Sequence, residues 1–315
     1  MSKVAIIGTG LVGRAWAIVF ARAGHSVALW DEDSGAPARA LTFVDEVLPE
    51  LARNDLLLAR APEAVRANLT VAPNLRAAVA DVIHVQESTP ERLDVKQAIF
   101  RRLDETAPPG AIIASSSSAI LPSKFTEALT GRARCLVVHP LNPPYLVPAA
   151  EVVPAPWTSP EAVTDTRDLL VAAGMTPIVM KREIDGFIMN RLQGVLLEEA
   201  FRLVADGYAS VEDVDIGIRD GLALRWSFMG PFETIDLNAP GGVEDYVARY
   251  QHIYVNLFTQ MQRRVDWAGD VLPTVTRQRR ERLPAADLAN RQTWRDSRLM
   301  ALAAHKRRAA KDIGE

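Results

Sequence analysis

Short, almost wholly apolar runs alternate with segments of helical periodicity through the first half of the chain. The runs are Lys3-Val-Ala-Ile-Ile, Ser26-Val-Ala-Leu-Trp, Leu69-Thr-Val-Ala, Asp81-Val-Ile-His-Val-Gln, Ala111-Ile-Ile-Ala and Arg134-Cys-Leu-Val-Val, with a further extended stretch over 147–153. Between them, Leu11, Ala15, Ile18 and Val19 recur on one helical face. Residues 34–66 read as mostly helical, punctuated by Pro37, Pro49 and Pro62, and 90–104 is a third helical stretch. Apolar strands separated by helices make a parallel sheet buried on both faces. From 186 onward the extended runs cease. Ile188, Leu192, Val195, Leu196 and Leu203 recur at helical spacing, which predicts a helix lying mostly in a core, and 211–222, 243–267 and 288–311 also suit helices. The fold class is therefore α/β: a predominantly parallel sheet with its helices over 1–185, then an all-α domain over 186–315.

The first run ends in Gly8-Thr-Gly10-Leu11-Val12-Gly13 and passes directly into a helix. Gly8 permits a tight turn, Gly10 lets backbone approach a pyrophosphate, and Gly13 lets the helix pack closely on the strand. The helix start, with Leu11 and Val12, aims free N–H groups and a positive dipole end at the anion. Three glycines at this spacing are a weak signal alone, and their setting strengthens it. The second run ends in Asp31, 18 positions after Gly13, close to the roughly 20-residue spacing at which an acidic side chain meets the adenosine ribose. Glu32 and Asp33 follow instead of Arg or Lys, so a 2′-phosphate would be repelled. The N-terminal domain is read as a Rossmann-type dinucleotide-binding domain that takes NAD.

Composition fits an enzyme of this size. With 315 residues, 48% of them hydrophobic, two domains are the default. A net charge of −3 gives no general pull toward nucleic acid or anionic membrane. The basic clusters at 277–282 and 306–311 read as solvated helix faces, so neither nucleic acid nor membrane is expected as a partner. The single Cys135 excludes an internal disulfide framework and, in its apolar run, reads as a buried small hydrophobe. No run of about 18 apolar residues exists to span a bilayer, and strand one begins at once, leaving no room for a signal peptide. A cytoplasmic protein without a metal is the expectation.

The sixth run delivers His139-Pro-Leu-Asn142-Pro-Pro-Tyr145 at its carboxyl end, where ligands gather in such sheets. The next extended stretch carries Glu151 among apolar residues. A histidine whose far ring nitrogen is held by a carboxylate has a fixed tautomer and raised basicity, as proton removal from an alcohol requires. The serine tract 115–118 follows the fifth run, and Glu87, Glu91 and Lys96 follow the fourth.

These residues resemble the L-3-hydroxyacyl-CoA dehydrogenase family, whose hallmark is a Ser, then His-Pro/Phe-x-Asn-Pro, then a Glu. The resemblance implies that His139 and Glu151 are a catalytic dyad and that Ser118, 21 positions before the histidine, meets the substrate hydroxyl. It also places Asn142 and, in Gly186-Phe-Ile-Met-Asn190-Arg191, Asn190 at the substrate, with Glu91 and Lys96 at the cofactor. Gly221-Leu-Ala-Leu-Arg225-Trp-Ser-Phe-Met-Gly-Pro-Phe-Glu-Thr, Asp236-Leu-Asn-Ala and Arg291-Gln-Thr-Trp-Arg-Asp-Ser-Arg-Leu-Met are similar to the lambda-crystallin, or L-gulonate 3-dehydrogenase, branch. Arg225-Trp226 is also similar to bacterial L-carnitine dehydrogenases. A homodimer through the C-terminal helical domain is implied.

The expected activity is NAD-dependent oxidation of the C3 hydroxyl of a small L-3-hydroxy acid. Two features bear on which acid. Residues 32–66 hold seven acidic residues, four arginines and no lysine, a net −3, where an acyl-CoA enzyme benefits from cations for the phosphates of coenzyme A. Arg225 suits a free carboxylate by bidentate hydrogen bonding, or else a salt bridge within the helical domain. An L-gulonate-like sugar acid leads; a 3-hydroxyacyl-CoA, carnitine, and a non-catalytic NADH-binding crystallin-like protein stay open.

Overall fold

Successive residues of a strand face opposite sides of its sheet, and the first strand shows the consequence. In β1 (Lys3–Ile7), Ile6 enters one hydrophobic core and Ile7 the other. The computed structural model describes residues 2–314. Its eight strands are β1, β2 (Ser26–Trp30), β3 (Leu69–Val71), β4 (Val82–Glu87), β5 (Ile112–Ser115), β6 (Cys135–Pro140), β7 (Ala149–Pro154) and β8 (Thr176–Val179), in spatial order β3-β2-β1-β4-β5-β6-β7-β8. Every neighbouring pair is parallel except β6 with β7, where His139 lies opposite Glu151. The chain winds outward from β1 through β2 and β3, then returns to β1's other side as β4. That reversal opens a crevice at the carboxyl ends of β1 and β4. Strand β8 escaped the sequence reading because Thr176-Pro-Ile-Val is short and partly exposed, and Pro177 suits an edge position.

The helices α1 (Leu11–Arg22), α2 (Ala36–Arg53), α3 (Pro62–Ala67), α4 (Leu75–Val79), α5 (Leu93–Thr106), α6 (Ser123–Thr126) and α7 (Pro160–Ala172) cover the sheet. One core joins Trp16, Phe20, Val44, Leu48 and Leu170 to the Leu29, Leu136 and Val138 face. The other joins Ile99, Phe100, Leu103 and Phe125 to Ile7, Ile113 and Val137. Cys135 is buried as expected, and burial pushes its thiol up to about 12, which leaves it unreactive.

The chain divides into two compact units. The first runs to Met189 and includes Asp296–Ala304; the second takes Asn190–Arg295 and His305 onward. The 296–304 segment belongs with the first because Met300 sits in its core and Ser297 Oγ donates to Glu50 Oε1 at 2.9 Å. The remaining helices are α8 (Met189–Ala205), α9 (Val211–Ile216), α10 (Ala223–Trp226), α11 (Pro231–Asp236), α12 (Gly242–Gln260), α13 (Val271–Arg282) and α14 (Leu288–Ile313), with a π-helical turn at Gly217–Leu222 joining α9 to α10. Within the second unit, Glu198 accepts from Val265 N–H and Trp267 Nε1, and Phe201 stacks on Trp267, fixing the segment that follows α12 against α8. That segment is not helical, so the expected 243–267 helix stops at Gln260. The expectation that α8 lies mostly in a core is also corrected. Leu192 is 59% and Val195 66% exposed, and only Arg202 of this helix is buried. Among the described residues, no helix is long and apolar enough to cross a membrane.

Candidate active site

The glycine loop is built as its spacing predicts. Gly8 has φ +88°, and a Cβ there would strike the Ser88 main chain at 2.7 Å; a Cβ on Gly13 would lie 1.9 Å from the Gly8 carbonyl oxygen. A Cβ on Gly10 would meet nothing within 4 Å, and no side chain caps α1 at this residue. The first-turn N–H groups of a helix need an acceptor, and this open side suits a pyrophosphate. Leu11 is exposed beside it and Val12 half-buried. Asp31, at the end of β2, braces the loop: Oδ2 accepts from Thr9 N–H at 2.7 Å and Thr9 Oγ1 at 3.3 Å, and Oδ1 from Asp33 N–H at 3.0 Å. Oδ2 is filled by its two Thr9 donors, and Oδ1, with one donor, keeps acceptor capacity for a ribose hydroxyl.

At the end of β4 the structure shows what Glu87, already singled out with Glu91 and Lys96, does. Lys96 is 1% exposed, and its Nζ donates to Glu87 Oε1 and Oε2 at 2.8 and 3.0 Å and to the Thr89 carbonyl at 3.0 Å. Ser115 Oγ donates to the same carboxylate at 2.6 Å. A buried charge needs a partner, and Glu87 supplies it. The signal was present: Lys96 falls with Ile99, Phe100 and Leu103 at helical spacing, a lysine in an apolar stripe. Glu91 takes a different part. Its Oε1 accepts from Ser117 Oγ (2.6 Å) and from the N–H groups of Ser118 (3.1 Å), Ala119 (2.9 Å) and Ile120 (3.2 Å), so it holds the loop that carries Ser118.

At the other end of the site, β6 and β7 bring His139 and Glu151 side by side. His139 Nδ1 lies 2.6 Å from Glu151 Oε2, and both side chains are buried. A carboxylate only accepts, so Nδ1 carries a proton, and a neutral ring would present the Nε2 lone pair on its far side. Glu151 Oε1 accepts from Ile188 N–H at 2.6 Å and Met189 N–H at 2.8 Å, satisfying donors at the start of α8. Phe187 reaches the left-handed region at φ +49° and lays its ring 5.5 Å from that of His139. The carboxylate is thereby fixed from both sides. Ser118 and Asn142 are exposed at the carboxyl ends of their strands, Asn142 in a cis bond to Pro143. Asn190 and Arg225 belong to the second unit, Asn190 in the first turn of α8 and Arg225 exposed on α10.

A doubly wound sheet with an uncapped helix start, a carboxylate just past its second strand and a buried histidine–carboxylate pair on β6 and β7 has the parts of a dinucleotide-dependent oxidoreductase. Residues 3–184 match the NAD binding domain of 3-hydroxyacyl-CoA dehydrogenase and residues 186–269 its C-terminal domain. The chain belongs to this family of NAD-dependent oxidoreductases. It is 38% identical over 307 residues to lambda-crystallin of Oryctolagus cuniculus, covering 96% of each chain. It is 41% identical over 235 residues to L-carnitine dehydrogenase of Streptomyces coelicolor, covering 75% of this chain and 73% of that one. Its fold matches 5-formyl-3-hydroxy-2-methylpyridine 4-carboxylic acid 5-dehydrogenase, an NAD+-dependent dismutase, with a TM-score of 0.82 and 25% identity over 98% of each chain.

Proposed function

We propose that this protein oxidises the C3 hydroxyl of a small L-3-hydroxy acid with a free carboxylate, L-gulonate-like, by a His139–Glu151 dyad. The observation that carries the reading is the 2.6 Å bond that fixes the imidazole tautomer at the mouth of the sheet. NAD bound at the glycine loop would supply the acceptor for the C3 hydride. His139 Nε2 accepts the hydroxyl proton, and Glu151 stabilises the imidazolium that forms. Ser118 and Asn190 donate to the oxygen as charge develops, each well-placed donor contributing about 3 kcal/mol. Asn142 lines the substrate, and Arg225 pairs with its carboxylate. Glu91 lies beside the nicotinamide end with the buried Lys96–Glu87 pair supporting it from behind, and Asp31 takes a ribose hydroxyl through Oδ1. The acid-rich, lysine-free stretch 32–66 favours a free acid over a coenzyme A thioester. The likeness to L-carnitine dehydrogenases makes carnitine the second reading.

The second unit's exposed apolar residues, on α8 and α12 above all, fit a second copy of this chain, making a cytoplasmic homodimer. The test of the activity is NAD reduction by wild type and His139→Gln across L-gulonate, L-carnitine, 3-hydroxybutyrate and 3-hydroxybutyryl-CoA. Wild type should favour one free acid, and His139→Gln should lower kcat by about 10³-fold with NADH affinity unchanged. Near-normal turnover by the variant refutes the dyad, and NADH binding with no turnover of any substrate points to a binding protein.

A further inference from the structure

A chain of buried polar side chains runs along one face of β4 to the reacting end of the sheet. His84 and Gln86, two residues apart, share that face, and the His84 ring lies 5.6 Å from that of Phe20 in the hydrophobic core. His84 Nε2 is 3.1 Å from Gln86 Oε1. An amide oxygen only accepts, so Nε2 carries the ring proton. His84 Nδ1 is then a buried acceptor with no hydrogen-bond partner among the described residues, and burial holds the ring neutral. Gln86 Nε2 donates to Ser116 Oγ at 2.8 Å and to the Val138 carbonyl at 3.4 Å. Ser116 Oγ in turn lies 2.9 Å from Ser88 Oγ.

The ends of this chain are three main-chain segments of the site. Ser116 is two residues before Ser118, Val138 immediately precedes His139, and Ser88 N–H donates to the Ile7 carbonyl at 2.7 Å, against the glycine loop. The residue beside Gln86 on β5 is Ala114, small enough to let the longer side chain contact β6 beyond it. Packing alone gives no reason for a histidine and a glutamine here, because apolar residues would fill the space without a buried unsatisfied nitrogen.

We propose that Gln86, oriented by His84, is a positioning residue that ties the serine loop to the strand bearing His139. This rests on the roles given above to Ser118 and His139. The His84 N–H selects one orientation of the amide; the flipped one would set Gln86 oxygen against the Val138 carbonyl oxygen.

Hydrogen–deuterium exchange and steady-state kinetics on the full-length protein test this. Gln86→Met keeps the length and removes the amide. It should speed exchange in the segments 115–120 and 136–140 and lower kcat about tenfold, as small misplacements of reacting groups do. The melting temperature should fall by a few degrees, because the buried His84 N–H loses its acceptor, but KM for NAD should stay within about twofold, a split between kcat and KM that a merely structural residue would not give. His84→Leu should act in the same direction, and His84→Gln, which restores a donor, should recover most of the loss; the His84 variants also decide the matter if Gln86→Met does not fold. Unchanged exchange in both segments, or full kcat in the folded variants, overturns the inference. A wild type that turns over no substrate of the panel refutes the proposed activity, and exchange still decides whether Gln86 ties the two segments.

Discussion

The two units treat the same kind of helix in opposite ways. In the first, α1 buries nine of its twelve residues between the sheet and its helical neighbours. In the second, the 19-residue α12 buries none, and its Val247, Ile253, Val255, Leu257 and Phe258 are all exposed. Both helices carry enough apolar residues to enter a core. The first finds that core within its own chain, because a parallel sheet offers two apolar faces to whatever crosses it. The second has no sheet, and its helices display apolar surface that water does not favour. A single chain therefore accounts for the stability of the first unit, and the second copy proposed above would complete the other.

Equal truncations sharpen this contrast most. Trp16→Ala, in the first core and stacked 5.5 Å from Phe20, should cost about 3–5 kcal/mol of unfolding free energy, whereas Phe232→Ala, on an 80% exposed side chain, should cost well under 1 kcal/mol if no partner covers it. Denaturant titration of both variants is the measurement. A large loss at Phe232 in dilute monomer would break the contrast.

Acid should act on the first unit next. Burial lowers the His84 pKa to about 4 from the ordinary 6.5, with the Gln86 hydrogen bond opposing the shift. Above about pH 6.5 both folded and unfolded chains hold this ring neutral, and its contribution is complete. Between 6.5 and 4 the unfolded chain takes up a proton that the folded one refuses, so stability falls by up to about 3 kcal/mol as pH drops. Urea titrations at pH 7 and pH 4.5 should show that slope in wild type and a flatter one in His84→Leu. Equal slopes would mean that other groups carry the acid sensitivity.

The smallest effect on folding, and the sharpest on assembly, belongs to the exposed faces. Val195→Asp on α8 or Ile253→Asp on α12 should convert a dimer to monomer in sedimentation velocity, with the unfolding of the first unit little changed. Each buried aliphatic side chain contributes about 1.5–3 kcal/mol to such an interface. A dimer that survives both substitutions uses another surface.

Much of the first unit was legible because its signals are local. Apolar or extended runs marked the first seven strands, Gly8 and Gly13 marked close approaches that a Cβ would forbid, and spacing alone put Asp31 just past the second strand. His139 and Glu151 were legible as a motif, but their contact depends on an antiparallel turn of β7 that sequence spacing does not specify. Periodicity was misleading in α8. It shows that one face is apolar and says nothing about what covers it, so Leu192 and Val195 read as core although this chain leaves them exposed.

The sequence determined the order of strands and helices, the phosphate loop and the residue types at the site, since each rests on neighbours a few positions away or on a fixed spacing. Tertiary structure alone decided that Glu87 neutralises Lys96, that Glu91 holds the loop of Ser118, and that Gln86 spans three strands. Those pairings join residues on different strands and helices, and a buried polar group takes its partner from whatever the fold places within about 3 Å of it.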